Sequence, residues 1–393
     1  MLEAIETNDP VALEKAQENV TNWVQMIEPD RMANAFRRTN NGPISRFLLS
    51  AQGNRNTGYS VTATNIASTS AALPATNSPI AASAPADIPF RWVDSISISG
   101  ITAFNWDSNN LWIAKGTTLQ KRNPFREVTE NVNIPFPLKH NINAIVPDES
   151  GQWLGTDGDG LVRIFNSGSP CQTYTEREGL LMPSITALCE TSNRLWIGFG
   201  FRESGGLGYL DLRDNKFTGV ISEVGMFKSD REQREGPPDS AITAIKKSDD
   251  TTLWVASIKA LNKFDIGTQK WTLALPFGPS ALSVNSNFVA VGCPEGGVMF
   301  CKLPEMKWKK ISFGTNFWEN LVHSVQADAF STRFLWVGNH TKIRVIDMET
   351  SQIVGIKNFF GVSGVPVIAA GPEVITIFSA GQLATIEKPL TFR

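Results

Sequence analysis

The sequence predicts an all-β chain folded as a seven-bladed β-propeller, preceded by a short helical segment and a flexible linker. Three observations predict it. An apolar run built on tryptophan recurs: Leu111-Trp112-Ile113-Ala114, Gln152-Trp153-Leu154-Gly155, Leu195-Trp196-Ile197-Gly198, Leu253-Trp254-Val255-Ala256 and Leu335-Trp336-Val337-Gly338. Val289-Ala290-Val291-Gly292 and Ile375-Thr376-Ile377-Phe378 fill the gaps in the series. The second residues of these runs fall 41, 43, 58, 36, 46 and 40 residues apart. Such a period is the mark of four-stranded blades stacked around an axis. A second motif precedes every run, and a strand-like stretch, Phe90 to Ile98, belongs to no unit of its own.

That second motif is Ile101-Thr102-Ala103-Phe104, Ile142-Asn143-Ala144-Ile145, Ile185-Thr186-Ala187-Leu188, Ile242-Thr243-Ala244-Ile245, Ala281-Leu282-Ser283-Val284, Ser324-Val325-Gln326-Ala327 and Val367-Ile368-Ala369-Ala370. It reads as the innermost strand, where small residues suit the crowding around the axis. The tryptophan run is the next strand. It is apolar on both faces because neighbouring blades cover both. The Gly or Ala that ends the run is expected to make room for a ring from the other side. Third strands follow a turn, as in Leu161 to Phe165 and Ile343 to Asp347. Fourth strands are more polar, as in Phe125 to Val128 and Lys270 to Leu273, because outer strands meet water.

The last unit has strands at 366–370, 373–378 and 382–387 and too little chain left for a fourth. The Phe90 to Ile98 stretch is expected to supply it and close the ring. The propeller therefore takes residues 89–393. Residues 1–49 form a helical appendage: Asp9 caps, Pro10 starts the helix, and Val11, Leu13, Ala16, Val20, Trp23, Val24 and Ile27 recur at helical spacing. It reads as the tail of a helical domain, a helix packed on the propeller, or a partner-binding helix. Residues 50–88, rich in Ser, Thr, Asn, Ala and Pro, read as a flexible linker.

The order Ile185-Thr186-Ala187-Leu188, Leu195-Trp196-Ile197-Gly198, Gly206-Leu207-Gly208-Tyr209-Leu210-Asp211 resembles the two-component regulator propeller repeats. Gly155-Thr156-Asp157-Gly158-Asp159-Gly160-Leu161 fits the same pattern, and the resemblance covers roughly residues 95–390. Such repeats usually form the exported sensor half of bacterial membrane kinases. The resemblance thus implies a sensor-like role and export. The amino terminus points the other way: Met1 to Glu6 is acidic, whereas a secretory signal needs a basic start and an apolar stretch.

Composition narrows the partners. The net charge is −2, charged residues are 19 % of the chain, and no basic run stands out, which argues against nucleic acid. No stretch of about eighteen apolar residues could span a membrane. No Cys-x-x-Cys, His-Glu-x-x-His, Walker loop or Gly-x-Ser-x-Gly occurs, and no cofactor is implied. Cys293 and Cys301 flank one hairpin and are compatible with a disulfide. Asp157-Gly158-Asp159-Gly160 lacks the later ligands of a calcium loop and reads as a glycine turn, with Gly205-Gly206 and Gly296-Gly297 in equivalent turns.

Ligands of propellers commonly sit where the inner strands begin. The residues just before those strands are His140, Asn141, Ser184, Ser240, Ser280 and His323, and the turns between second and third strands add Lys115, Asp157, Asp159, Arg202, Glu203, Lys259, Glu295 and His340. A long charged insert, Val220 to Asp239, is expected on the same face. The favoured reading is a non-enzymatic module that binds a small ligand or a protein at the channel mouth. A scaffold propeller is a second reading. A propeller lyase or lactone hydrolase is a third, its metal held by residues among His140, His323, His340, Asp157 and Glu295.

Overall fold

The structure is a computed structural model that describes residues 86–87, 91–201, 204–220, 241–314, 317–328, 332–339, 342–358, 366–379 and 381–389. The helical appendage, the linker before residue 86, and the insert beyond Val220 lie outside the described residues.

The fold is a seven-bladed, all-β propeller, and in blades one to five each sheet is four antiparallel strands in simple chain order. Blade one is Ile101–Trp106, Leu111–Lys115, Thr118–Asn123 and Val128–Val132. Blade two begins at Ile142–Pro147, blade three at Ile185–Thr191, blade four at Ile242–Asp249, blade five at Ala281–Val284 and blade six at Val322–Ala327. Blade seven holds Val367–Ala370, Val374–Ser379 and Gln382–Glu387. Its outermost strand is Arg91–Ser97, from the other end of the propeller sequence, paired antiparallel with Gln382–Glu387. Ala86–Asp87 adds a short parallel strand outside blade six. Helix is confined, among the described residues, to Glu176–Glu178 and Phe317–Asn320.

The core is a set of seams between blades. Ile113 and Phe378 belong to the seam of blades one and seven, Trp153 and Ile185 to that of two and three, Trp336 and Ile377 to that of six and seven. This is why the second strand is apolar on both faces. Trp254 and Trp336 are wholly buried. The small residue after the tryptophan run answers a close approach, although its neighbour is not a ring. A Cβ on Gly198 would sit 2.6 Å from Ile242 Cγ2, and one on Gly155 would sit 2.5 Å from Ile185 Cγ2. The glycines of blades two and three thus receive the first β-branched residue of the next inner strand.

Turns between first and second strands are organised by a side-chain oxygen. Asp107 Oδ1 accepts from the Asn109 and Asn110 N–H groups at 2.7 and 2.6 Å, and Oδ2 accepts from Trp112 Nε1 at 2.6 Å. Asp148 and Asn285 repeat the motif. Such side-chain turns are what Asp and Asn favour.

Three expectations change. The fourth strand of blade one is Val128–Val132, because Glu127 takes a φ of 55° and ends the turn that holds Phe125. Gly205 and Gly206 lie inside the strand Ser204–Asp211, while Gly296 and Gly297 do sit in a turn at positive φ. Cys293 and Cys301 are both free. Cys301 pairs in register with Val289, whereas Cys293 follows Gly292, so the two are offset by several residues along the hairpin. Burial pushes the Cys293 thiol up to about 11 and the Cys301 thiol up to about 12.

Candidate functional site

The inner strands begin on one face, here called the upper face, and the turns between second and third strands reach it too. The inner strands of blades one, two, three, four and six carry a bulge next to their first residue. Bulges re-aim side chains at such rims. Here the bulged residues are Thr102, Asn143, Thr186, Thr243 and His323. In blades two and three this side chain clasps the next blade: Asn143 Nδ2 donates to Ile185 O at 3.2 Å and Thr186 Oγ1 to Ile242 O at 2.5 Å. Ser280, directly before the inner strand of blade five, does the same to Val322 O at 2.9 Å. Sequence reasoning missed these clasps. Their signal was present in the polar second letter of the Ile-Thr-Ala and Ile-Asn-Ala motifs.

Five candidate residues gather here, four from blade two and Ser184 from blade three. Asp159 Oδ2 accepts from the N–H groups of Lys139 and His140 at 2.8 and 2.7 Å, and Oδ1 lies 3.1 Å from His140 Nδ1. Burial pushes the Asp159 carboxyl up, but these donors outweigh it and hold it below the usual carboxylate range. Asp159 is therefore committed to shaping the loop. Nδ1 faces the carboxylate, and Nε2 lies on the other edge of the ring. The ring is also pressed on Gly158, whose φ is 147° and where a Cβ would come within 2.8 Å of the imidazole. Only glycine fits there.

Asp157, one residue before Gly158, is exposed. Its N–H donates to Asn141 O at 2.9 Å, and its Oδ1 accepts from Ser184 Oγ at 2.7 Å. Ser184 Oγ also reaches Gly200 O at 2.9 Å. His140, Asn141, Asp157, Asp159 and Ser184 thus form one connected rim across blades two and three. Lys115, Lys259 and Glu295 are exposed in the corresponding turns of blades one, four and five. Arg202, Glu203, Ser240 and His340 lie outside the described residues.

His323 is a correction. It is the second residue of the inner strand Val322–Ala327, half-buried at the bulge, and its counterpart in blade two is Asn143. The counterpart of His140 is Asn320. The two histidines do not occupy equivalent positions, because the inner strand of blade six starts two residues earlier than its sequence suggests. Among the described residues no three His, Cys, Asp or Glu side chains converge to hold a metal ion. Among them, too, no helix is long and apolar enough to cross a membrane.

No protein-family model matches the chain, and no curated protein matches it. Among solved structures it is similar to the computationally designed protein Ika8, at 12 % identity and a TM-score of 0.53, over 76 % of this chain and 99 % of that one. It is also similar to the extracellular domain of a protein designated a one component system from B. thetaiotaomicron, at 17 % identity and a TM-score of 0.56. That likeness covers 75 % of this chain but 42 % of the other. At these identities the likeness is one of fold.

Proposed function

We propose that the chain is a non-enzymatic, sensor-like binding propeller whose upper face, at the rim of blades two and three, receives a small ligand or a protein partner. The observation that carries this reading is the bonded rim of His140, Asn141, Asp157, Asp159 and Ser184. The exposed Asp157 carboxylate is held by Ser184 and the exposed His140 ring by Asp159, so both are ordered before a ligand arrives. Preorganised polar groups on a rigid scaffold are what a recognition site needs. The likeness to the extracellular domain of the one component system supports a sensor-like role by analogy of fold. A thermal-shift screen of metabolites and peptides against the full chain tests the reading. Hits should lose most of their stabilising shift in a His140→Ala, Asp157→Asn variant. Hits whose shift survives that variant place recognition elsewhere and reject this site.

A further inference from the structure

The opposite end of the seam between blades two and three carries a different chemistry. The inner-strand residue paired with the position just before the tryptophan, or its counterpart, on the second strand is Trp106, Pro147, Val284, Ala327 or Ala370 in five blades. Blades three and four break this pattern with Glu190 and Lys247. Glu190 faces Arg163 and Asp148 of blade two. Arg163 is buried, its guanidinium lies 4.3 Å over the Trp153 ring, and its Nη2 donates to Asp148 Oδ1 at 2.7 Å and to Ser150 Oγ. Its Nη1 is buried without a hydrogen-bond partner, and so is Glu190 Oε2. Trp153 Nε1 is buried without one as well, because Asp148 is turned to Arg163, whereas the matching Asp107 serves Trp112.

We propose that Glu190, Asp148 and Arg163 form a proton-operated latch across the seam of blades two and three. With its proton, the Glu190 carboxyl donates its O–H to the Asp148 carboxylate. Without it, the two carboxylates repel and Glu190 turns toward the idle Nη1 of Arg163. The proton resides on Glu190 because burial, and then the Asp148 charge, raises its carboxyl above the usual range. Burial also pushes Asp148 up, but the Arg163 bond outweighs it and holds Asp148 low. The other charge facing Glu190 is Lys247 of blade four, whose Nζ is held by Asp250 at 2.8 Å. The raised acid makes the seam tightest when Glu190 is protonated. That contribution is lost as pH rises through its folded midpoint.

Carboxyl carbon NMR of Glu190 in the full chain, followed with the Trp153 indole resonance from pH 4 to 8, tests the latch. The Glu190 midpoint should lie above the usual glutamate range, and the Trp153 resonance should move with the same midpoint as Arg163 is re-engaged. Asp148→Asn should bring the midpoint down, and Glu190→Gln should abolish the Trp153 step. An ordinary midpoint, a Trp153 resonance indifferent to it, or a step that persists in Glu190→Gln each overturns the latch. The wild-type titration decides on its own if either variant folds poorly.

Discussion

Asp94 and Arg122 form a two-pronged ion pair across the place where the ring closes. Asp94 lies on the closing strand of blade seven and Arg122 on the third strand of blade one. Nε and Nη2 meet the two carboxylate oxygens at 2.6 and 2.7 Å, with both side chains under 10 % exposed. Arg122 Nη1 also reaches Thr129 Oγ1 at 2.5 Å. The closure strand is thereby bonded to the blade it does not belong to.

Asp94→Ala should therefore cost about 3–5 kcal/mol, because it leaves a buried guanidinium without its counter-charge. Amide hydrogen exchange over Arg91–Ser97 should accelerate before that of other outer strands. Removing residues 1–85 should leave a folded propeller, while removing 1–97 should open or aggregate it. A longer truncation that stays monomeric with an unchanged melting temperature would show that the ring does not need this strand.

A second prediction concerns the seam between blades three and four. Gly198→Ala puts a methyl group against Ile242 Cγ2 and should cost roughly 1–3 kcal/mol by overpacking. Ile242→Ala alone should cost about 2–5 kcal/mol through the cavity it leaves. The double variant should be more stable than the sum of the two losses, since each change vacates what the other fills. Strict additivity in urea denaturation would show that the two residues do not press on each other.

Those partnerships mark how far the sequence could be read. The period of the tryptophan runs placed seven second strands, and the leftover stretch around Trp92 pointed to the pairing with Gln382–Glu387. Periodicity reports which residues are buried, and in a propeller that nearly defines the blade. It does not report which side chain fills the space beside a glycine, so Ile242 was mistaken for a ring. It also cannot fix where a strand starts when its first residues lack the motif, and the inner strand of blade six, starting at Val322, took His323 into the strand. Asp328 and Lys388 show the same limit. Lys388 Nζ lies 2.8 Å from Asp328 and 2.7 Å from Gly371 O, fully buried, between residues whose separation carries no local pattern. In the candidate rim, residue types near Asp157 were legible from turn position. The division of labour was not, because only coordinates show that Asp159 has spent its carboxylate on the loop while Asp157 keeps an open edge.

Burial separates the aromatic residues into two groups with different mutational costs. Trp254→Ala should lose about 3–5 kcal/mol, as expected for a wholly buried large side chain. Phe125 is 57 % exposed in its turn, and Phe125→Ser should stay within about 0.5 kcal/mol. Thermal melts of the two variants check this directly. Equal losses would mean that Phe125 is covered in solution.

The last prediction is the acid limb of stability. Burial pushes the Asp107 carboxyl up, but the Asn109 N–H, the Trp112 indole and the Asn110 N–H outweigh it and hold it below the usual range. Asp347 is held low in the same way: burial raises it, and Arg333 with the Glu349 N–H outweighs burial. A folded carboxyl that resists its proton contributes stability that is complete above the unfolded carboxylate value, about 4. That contribution disappears as pH falls through the lowered folded value. The contribution of these two carboxylates to the melting temperature should thus be flat near neutrality and drop steeply below about pH 4. Asp107→Asn keeps an acceptor for the turn but loses the charge that favours all three donors. It should lower the neutral plateau by roughly 1–2 kcal/mol and make the acid fall shallower, since one proton fewer is taken up on unfolding. An acid limb of unchanged slope in this variant would show that Asp107 does not contribute to it.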